Sequence, residues 1–150
     1  MIEDGPVKGN LLERFKDWLS RTPAPENLLR GRLGEVAAKK HLQRVGLRFL
    51  TANYRSSYGE IDLIFRDRDC LVFVEVKTRS SEGWTRPAAA VDSAKRRRVA
   101  RTGLAYLRLL GNPEVEFRFD VVEVLLGDGA IQQIRHVPRA FSLPRPYRYP

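Results

Sequence analysis

The sequence predicts an α/β fold in which a central mixed sheet of about five strands is flanked by helices. Two β-rich runs at 59–65 and 70–79 surround a short charged turn, which is the pattern of a hairpin. Segments with the apolar periodicity of a helix lie before and after this hairpin. Further strand-like runs complete the predicted sheet, at 47–53, 115–126 and 130–135.

The composition favours a polyanionic partner. At 150 residues, the chain is long enough for one domain with a sizeable core. Lysine and arginine number 27 against 18 aspartates and glutamates, which gives a formal charge of +9 and a pI of about 10.2. This charge favours nucleic acid as the partner, with an anionic membrane surface as the weaker alternative.

The same sequence indicates where the protein resides. No apolar stretch approaches the ~20 residues of a membrane-spanning helix, which excludes a transmembrane protein. The first residues include Glu3 and Asp4 and lack the apolar core of a signal peptide. The single cysteine, Cys70, cannot form an intramolecular disulfide, which suits a reducing compartment. We therefore expect a cytoplasmic protein without a membrane partner.

Residues 1–29 are predicted to form an N-terminal extension with an amphipathic helix. Asn10 and Glu13 have the spacing of a capping box at its start, and Pro23 ends it. Its apolar stripe consists of Leu11, Leu12, Phe15, Trp18 and Leu19. Three roles stay open for this helix: packing on the domain, a contact in a homodimer, or a contact with another partner.

A second helix is predicted from 31 to 45, with Gly46 as its stop. Glu35 lies near its start, where the helix dipole favours a carboxylate. After a strand at 47–53, the polar residues 53–59 are predicted to form a turn or a flexible loop. The inward positions of the helix are predicted to be Leu33, Val36, Ala37, Leu42 and Val45.

The hairpin carries charged residues where its strands should be apolar. Side chains alternate along a strand, so Glu75 and Lys77 continue the apolar face to which Phe73 belongs. Val72 and Val74 lie on the other face, and apolar residues on both faces are typical of a central strand. On the neighbouring strand, Asp62 is expected at roughly 5 Å from Glu75. Two carboxylates are thus predicted to lie together in a buried position, where their ionised forms are disfavoured.

Such a pair needs a compensating cation, either Lys77 or a metal ion. Mg²⁺ or Mn²⁺ suits the carboxylates of Asp62 and Glu75 together with the backbone carbonyl of Val76. Beside a metal, Lys77 would orient or deprotonate a water, or stabilise a phosphate in the transition state. The alternative is a structural ion-pair cluster formed by the same side chains.

A third helix is predicted from about 88 to 110, ended by the residues Gly111, Asn112 and Pro113. The loop at 80–87 precedes it and could move over a site. Val99, Leu104, Leu107 and Leu110 are predicted to face inward. Lysine and arginine follow one another within this helix. This basic run is either a solvated face or a surface that contacts phosphates. The predicted nucleic-acid surface comprises Lys95, Arg96, Arg97, Arg98 and Arg101, with Arg55 and Arg79 from elsewhere in the chain.

The last part of the chain is predicted to be a hairpin with a tail. The strand at 115–126 and an edge strand at 130–135 surround a Gly-Asp-Gly turn. Asp120 is interpreted as a structural partner for a basic residue. The tail at 138–150 is rich in proline, arginine and tyrosine and is expected to be extended.

Several of these segments together resemble a known family, the YraN-like bacterial proteins, whose function is uncharacterised. The similar segments are Gly34-Glu35, Asn53-Tyr54-Arg55, Gly59-Glu60-Ile61-Asp62, 72–79 and Arg118-Phe119-Asp120. That family is similar to the PD-(D/E)xK nucleases and, among them, most similar to archaeal Holliday-junction resolvases. The resemblance implies a restriction-endonuclease-like fold over residues 30–137.

The resemblance also implies roles for individual residues. It makes Glu35, Asp62 and Glu75 metal-binding carboxylates and Lys77 the catalytic lysine. The chain departs from the superfamily motif at Ile61, where a proline would stand. The predicted function is a Mg²⁺- or Mn²⁺-dependent nuclease acting on DNA, including branched or structured DNA. The alternatives are a nucleic-acid-binding module that keeps the fold without cleaving, and an interaction protein that uses the N-terminal helix.

Overall fold

The computed structural model describes residues 25–80 and 91–149. In chain order, the elements of these residues are α1 (Glu26–Arg44), β1 (Arg48–Ser56), β2 (Gly59–Asp67), β3 (Cys70–Ser80), α2 (Ser93–Leu109), β4 (Glu116–Gly127) and β5 (Ala130–Phe141). The strands form one sheet in the order β1-β2-β3-β4-β5. Only β3 and β4 pair in parallel among them, with α2 as the connection between the two. The predicted α/β fold with a five-stranded mixed sheet flanked by helices is confirmed.

The two helices cover opposite faces of the sheet. One core cluster joins Ala38 and Leu42 of α1 to Val72 and Val74 of β3. The other cluster joins α2 to the opposite face of β3, through Val99, Ala100, Leu107, Leu71 and Phe73. Each fully buried large apolar side chain contributes about 1.5–3 kcal/mol. Since both faces of β3 are buried, it is the central strand that the sequence predicts.

Helix α1 begins at Glu26, five residues earlier than predicted. It buries small residues against the sheet, because Gly34, Ala37 and Ala38 are buried together with Leu42. A Cβ atom on Gly34 would lie 1.9 Å from the hydroxyl oxygen of Thr78. The helix therefore approaches β3 too closely for large side chains. Three of the predicted inward residues are instead exposed: Leu33, Val36 and Val45.

Strand β1 continues through the residues that were predicted to be a loop. The turn between β1 and β2 contains only Ser57 and Tyr58. Asn53 has a φ of 53°, a left-handed conformation that asparagine tolerates better than most residues. Pairing with β2 resumes immediately, with Tyr54 opposite Ile61. The prediction of a turn or loop at 53–59 holds only for the turn at 57–58, and it was wrong for residues 53–56, because one left-handed residue interrupts the strand without ending it.

Helix α2 begins at Ser93 rather than near residue 88. The carboxylate of Asp92 caps it by accepting a hydrogen bond from the backbone N–H of Lys95 at 2.7 Å. The helix ends as predicted, before Gly111 and Asn112, which both have positive φ. Leu110, which was predicted to face inward, is exposed.

The C-terminal residues, predicted to form an extended tail, begin as a continuation of the last strand. Strand β5 is the edge strand, as predicted, but it runs to Phe141 and crosses the boundary placed after residue 137. Further on, Tyr149 packs its ring against Phe117, and its hydroxyl donates a hydrogen bond to the carbonyl of Pro113. These contacts attach the end of the chain to the domain.

Two predicted features fall outside the described residues: the amphipathic N-terminal helix and the loop at 80–87, of which only Ser80 is described, as the last residue of β3. No helix in the described parts of the chain is long and apolar enough to cross a membrane.

The close approach of α1 to β3 can be tested by enlarging its glycines. We expect Gly34→Ala to lower the free energy of unfolding by about 1–3 kcal/mol, because the new methyl group overlaps Thr78. Gly31→Ala is the matched control in the same helix, since an added Cβ there meets nothing within 4 Å beyond its chain neighbours and the backbone of its own helix. It should raise stability by about 0.5–1 kcal/mol through helix propensity. Denaturant unfolding measures both, and equal effects would contradict the packing argument.

Candidate metal centre and nucleic-acid surface

Strands β2 and β3 separate where the predicted site begins. Their pairing runs from Asp67 opposite Cys70 to Leu63 opposite Val74. One step further, the carboxylate of Asp62 takes the place of a backbone partner. Its Oδ2 accepts a hydrogen bond from the backbone N–H of Val76 at 2.7 Å.

The alternation of β2 reverses at Asp62. Ile61 and Leu63 would share a face in a regular strand, but they belong to the core clusters on opposite faces. On β1, Asn53 lies opposite Asp62 in the pairing register, and it is the residue with left-handed backbone. The two irregularities therefore coincide, which is how a sheet re-aims a side chain next to a site.

Glu75 is the most buried of the predicted site residues, at 3% exposure. Its Oε1 lies 3.0 Å from the ammonium nitrogen of Lys95 and 3.5 Å from that of Lys77. Its Oε2 is buried and has no hydrogen-bond partner among the described residues. A buried carboxylate is thus only half satisfied, although buried polar atoms are usually paired.

Burial and neighbouring carboxylates raise the pKa values of the two other carboxylates, Asp62 and Glu35. Burial, followed by the charge of Glu75, raises the pKa of Asp62 to about 7, although the Val76 N–H and Lys95 act in the opposite direction. Burial also raises the pKa of Glu35, although a hydrogen bond from the side chain of Asn53 partly offsets it. Both shifts have the same origin, because a poorly hydrated site disfavours a second negative charge.

Glu35, Asp62 and Glu75 line one cleft of about 600 Å³. They come from α1, β2 and β3, so the sheet and its first helix meet at this cleft. Glu35 is the tenth residue of α1, and the helix dipole acts mainly within the first turn, so the dipole does not explain its position. Glu60 and Lys95 also line the cleft. The sequence pattern predicts no role for Glu60, and it places Lys95 in a basic surface.

The donor set fits a hard divalent cation held by few protein ligands. No three histidine, cysteine, aspartate or glutamate side chains among residues 25–80 and 91–149 lie close enough together to hold a metal. Mg²⁺, however, commonly takes one or two carboxylates and keeps several waters. The N–H of Val76 faces Asp62, and its carbonyl faces the same way, since both groups of a strand residue point to one neighbour. Asp62, Glu75 and the Val76 carbonyl therefore suffice, and an ion would satisfy Glu75 Oε2.

The predicted basic surface divides into two groups. Lys95 turns towards Glu75, and Arg79 pairs with the buried Glu123 at 3.8 Å. Arg97 and Arg98 are exposed on α2. Other predicted members also have partners: Arg55 pairs with Glu60, Arg96 donates to the carbonyl of Val91, and Arg101 lies 4.0 Å from the ring centre of Tyr58.

Asp120 is a structural residue, as predicted. Its fully buried carboxylate accepts hydrogen bonds from Arg118 Nε at 3.1 Å and from the backbone N–H of Arg139 at 2.9 Å. It also lies 2.8 Å from His136 Nε2. These contacts tie β4 to β5 and do not involve the residues of the cleft.

Comparison with known proteins identifies relatives that span the site. The profile of the uncharacterised protein family UPF0102 matches residues 34–124. A UPF0102 protein of Rhodococcus jostii is 44% identical over 115 residues, which are 77% of this chain and 98% of the relative. One from Symbiobacterium thermophilum is 45% identical over 111 residues, 74% of this chain and 94% of the relative. One from Trichlorobacter lovleyi is 42% identical over 114 residues, 75% and 90% of the two chains.

The raised pKa of Asp62 predicts a pH dependence of stability. Its pKa is about 7 in the folded protein and 3.8 as an ordinary aspartate, so the folded state holds the proton more tightly. That contribution is fully present below about pH 4 and is lost as the pH rises through 7, at about 1.4 kcal/mol per pKa unit. In EDTA, Asp62→Asn should therefore become more stable relative to wild type, by a few kcal/mol, between pH 4 and pH 8. A constant difference in unfolding free energy across this range would contradict the assignment.

Proposed function

The chain belongs to the uncharacterised protein family UPF0102, and on that premise we propose that it is a Mg²⁺- or Mn²⁺-dependent nuclease that hydrolyses phosphodiester bonds of DNA. The single observation that supports this most directly is the half-satisfied, buried carboxylate of Glu75 beside Asp62. A purely structural cluster gains nothing from a carboxylate oxygen without a partner, because leaving such an atom buried costs about 1–3 kcal/mol. A site that receives a cation has a use for that oxygen.

The proposed ion would be held by Asp62, Glu75 and the carbonyl of Val76, with Glu35 lining the same cleft. When bound, it would polarise the phosphate and lower the pKa of an attacking water. The protein supplies position and charge around it. Lys77 contacts Glu75 from the same strand and is partly exposed, so it can orient a water or stabilise the charge that develops on the phosphate.

The exposed arginines of α2 would align the substrate. Arg97, Arg98 and Arg101 project from the half of α2 that also carries Lys95 to the cleft. Arg101 stacks on Tyr58, which places the β1–β2 turn beside these arginines. Contacts between arginines and phosphates position a nucleic-acid backbone without reading its bases. We therefore propose selection by the shape of the DNA, which includes branched or otherwise structured DNA, rather than by sequence.

The alternative function is a nucleic-acid-binding module that does not cleave. It is favoured by the same three arginines, because their contact with phosphates requires neither the carboxylates nor a metal. The two functions differ in one respect that can be measured, namely whether the carboxylate cleft binds a divalent ion and hydrolyses DNA.

A pair of variants separates metal binding from catalysis. Asp62→Asn should lose most of the stabilisation against denaturant that Mg²⁺ or Mn²⁺ gives the wild type, because a ligand of the folded state stabilises by mass action. It should also lose cleavage of labelled single-stranded, duplex and branched DNA. Lys77→Ala should keep the metal-dependent stabilisation and lose only cleavage, since the lysine acts mainly in the transition state.

Three results would count against these roles. Cleavage by Lys77→Ala at the wild-type rate would remove Lys77 from the mechanism. A large loss of stability of Asp62→Asn in EDTA, without a metal-dependent shift in wild type, would favour the structural ion-pair cluster. A wild type that binds divalent ions and DNA but cleaves none of the substrates would support the binding module.

The arginine surface predicts a salt dependence. Replacement of Arg97, Arg98 and Arg101 by glutamine should weaken DNA binding about equally for different sequences. Each lost phosphate contact should also reduce the slope of log affinity against log salt by about 0.7–0.9. Arg108→Gln is the matched control, since this exposed arginine lies in the last turn of the same helix, about 15 Å from Arg98 along the axis. An unchanged slope in the triple variant would show that these arginines form only a solvated face.

A further inference from the structure

Lys95 is the cation that lies nearer to Glu75 than the predicted catalytic lysine does. Its ammonium is 3.0 Å from Glu75 Oε1, compared with 3.5 Å for Lys77. It comes from the first turn of α2, whereas Glu75 and Lys77 both belong to β3. Its side chain is only 23% exposed. The pair of Lys95 and Glu75 therefore connects α2, which carries the exposed arginines, to the carboxylates of the cleft.

A divalent ion at Glu75 cannot leave this arrangement unchanged. Two ammonium groups already share one carboxylate oxygen, and an ion at the same carboxylate would repel both of them. Lys77 is two residues from Glu75 on a central strand, so it stays close to the site. The ammonium group of Lys95 lies at the end of a flexible four-carbon side chain on a separate element, so it can move away while α2 stays in place. Burial of Val99 and Ala100 keeps the helix on the sheet during such a movement.

Once released, Lys95 would need another anion. Its position in the first turn of α2 lies in the positive field of the helix dipole, which disfavours a cation without a counter-ion. The carboxylate of Asp92 is already used by the backbone N–H of Lys95, and the first turn holds no acidic side chain. Arg97 and Arg98 follow immediately and are exposed. These arginines would attract a nucleic-acid phosphate, and that phosphate is the anion with which the released Lys95 can pair.

We propose that Lys95 is a positioning residue that exchanges partners, pairing with Glu75 in the metal-free protein and with a substrate phosphate when a divalent ion binds. This inference rests on the proposed function, because it requires both ligands. It adds a thermodynamic coupling between them: the ion releases Lys95 for the phosphate, and the phosphate removes Lys95 from the ion. Such coupling is reciprocal, and coupling factors of roughly 5 to 150 are typical.

The test compares wild type with Lys95→Met, which keeps the length of the side chain and removes its charge. Titration calorimetry with Mg²⁺ and protein alone gives the ion affinity. Fluorescence anisotropy measures the affinity for a labelled branched DNA in EDTA and in Ca²⁺. The ratio of these two affinities is the coupling factor, and it is obtained without the ion of the proposed reaction. We expect Lys95→Met to bind Mg²⁺ at least about fivefold more tightly, and its coupling factor to be at least about fivefold smaller than that of wild type.

Two further variants make the result specific. Arg97→Met removes a neighbouring cation that does not contact Glu75, so it should weaken DNA binding equally with and without the ion and leave the Mg²⁺ affinity unchanged. Lys95→Arg keeps the charge and should retain most of the coupling. If Lys95→Met does not fold, as judged by circular dichroism, Lys95→Gln replaces it, because its amide can still donate a hydrogen bond to Glu75.

Each outcome supports or overturns the proposal. Tighter ion binding together with reduced coupling supports the exchange of partners. Tighter ion binding with unchanged coupling shows simple charge repulsion and overturns it, as does an ion affinity equal to or weaker than that of wild type. If wild type binds no divalent ion at all, the proposed metal-dependent function fails together with this inference. Normal ion binding and cleavage in wild type without an effect of Lys95 would overturn the inference alone.

Discussion

Two buried carboxylates that share one cleft are the constraint on which the rest of the site depends. Burial and the negative charge of Glu75 raise the cost of ionising Asp62, because little water remains to screen the two carboxylates. The surrounding groups offset this cost from three directions: the N–H of Val76, Lys77 on the same strand and Lys95 on α2. The positions of β2, β3 and α2 are therefore tied together by charge as well as by apolar packing.

The sheet adapts its backbone to this constraint. Asn53 and Asp62 lie opposite each other, and at this level β1 has a left-handed residue while β2 reverses its alternation. Strain of this kind persists only where the surrounding structure enforces it, and it concentrates at functional sites. On the other side, Gly34 lets α1 approach β3, which brings Glu35 to the same cleft. The irregular backbone and the small helix residues thus have a common result, which is that Glu35, Asp62 and Glu75 line the same cleft.

The family match separates the shared domain from the rest of the chain. The matched residues 34–124 contain the three carboxylates, Lys77 and the basic part of α2. The apolar stripe predicted within residues 1–29 lies outside the match. The chain also covers 90–98% of the length of the relatives compared above. Whatever activity the site has is therefore expected to belong to the part of the chain that the family shares.

The sequence by itself determined the elements of the fold and the pairing of charged residues along them. Alternation with period two is local, so it placed Glu75 on a buried face and Asp62 on the adjacent strand of a hairpin. Only the tertiary structure decided which distant groups meet there. The sequence predicts Lys95 only as one member of a basic helix face, because no local pattern reveals that a side chain from the first turn of α2 contacts β3. The start of α1, the exposure of Leu33 and Val36, and the continuation of β1 past Asn53 likewise depend on close packing and cross-strand pairing, which periodicity does not encode.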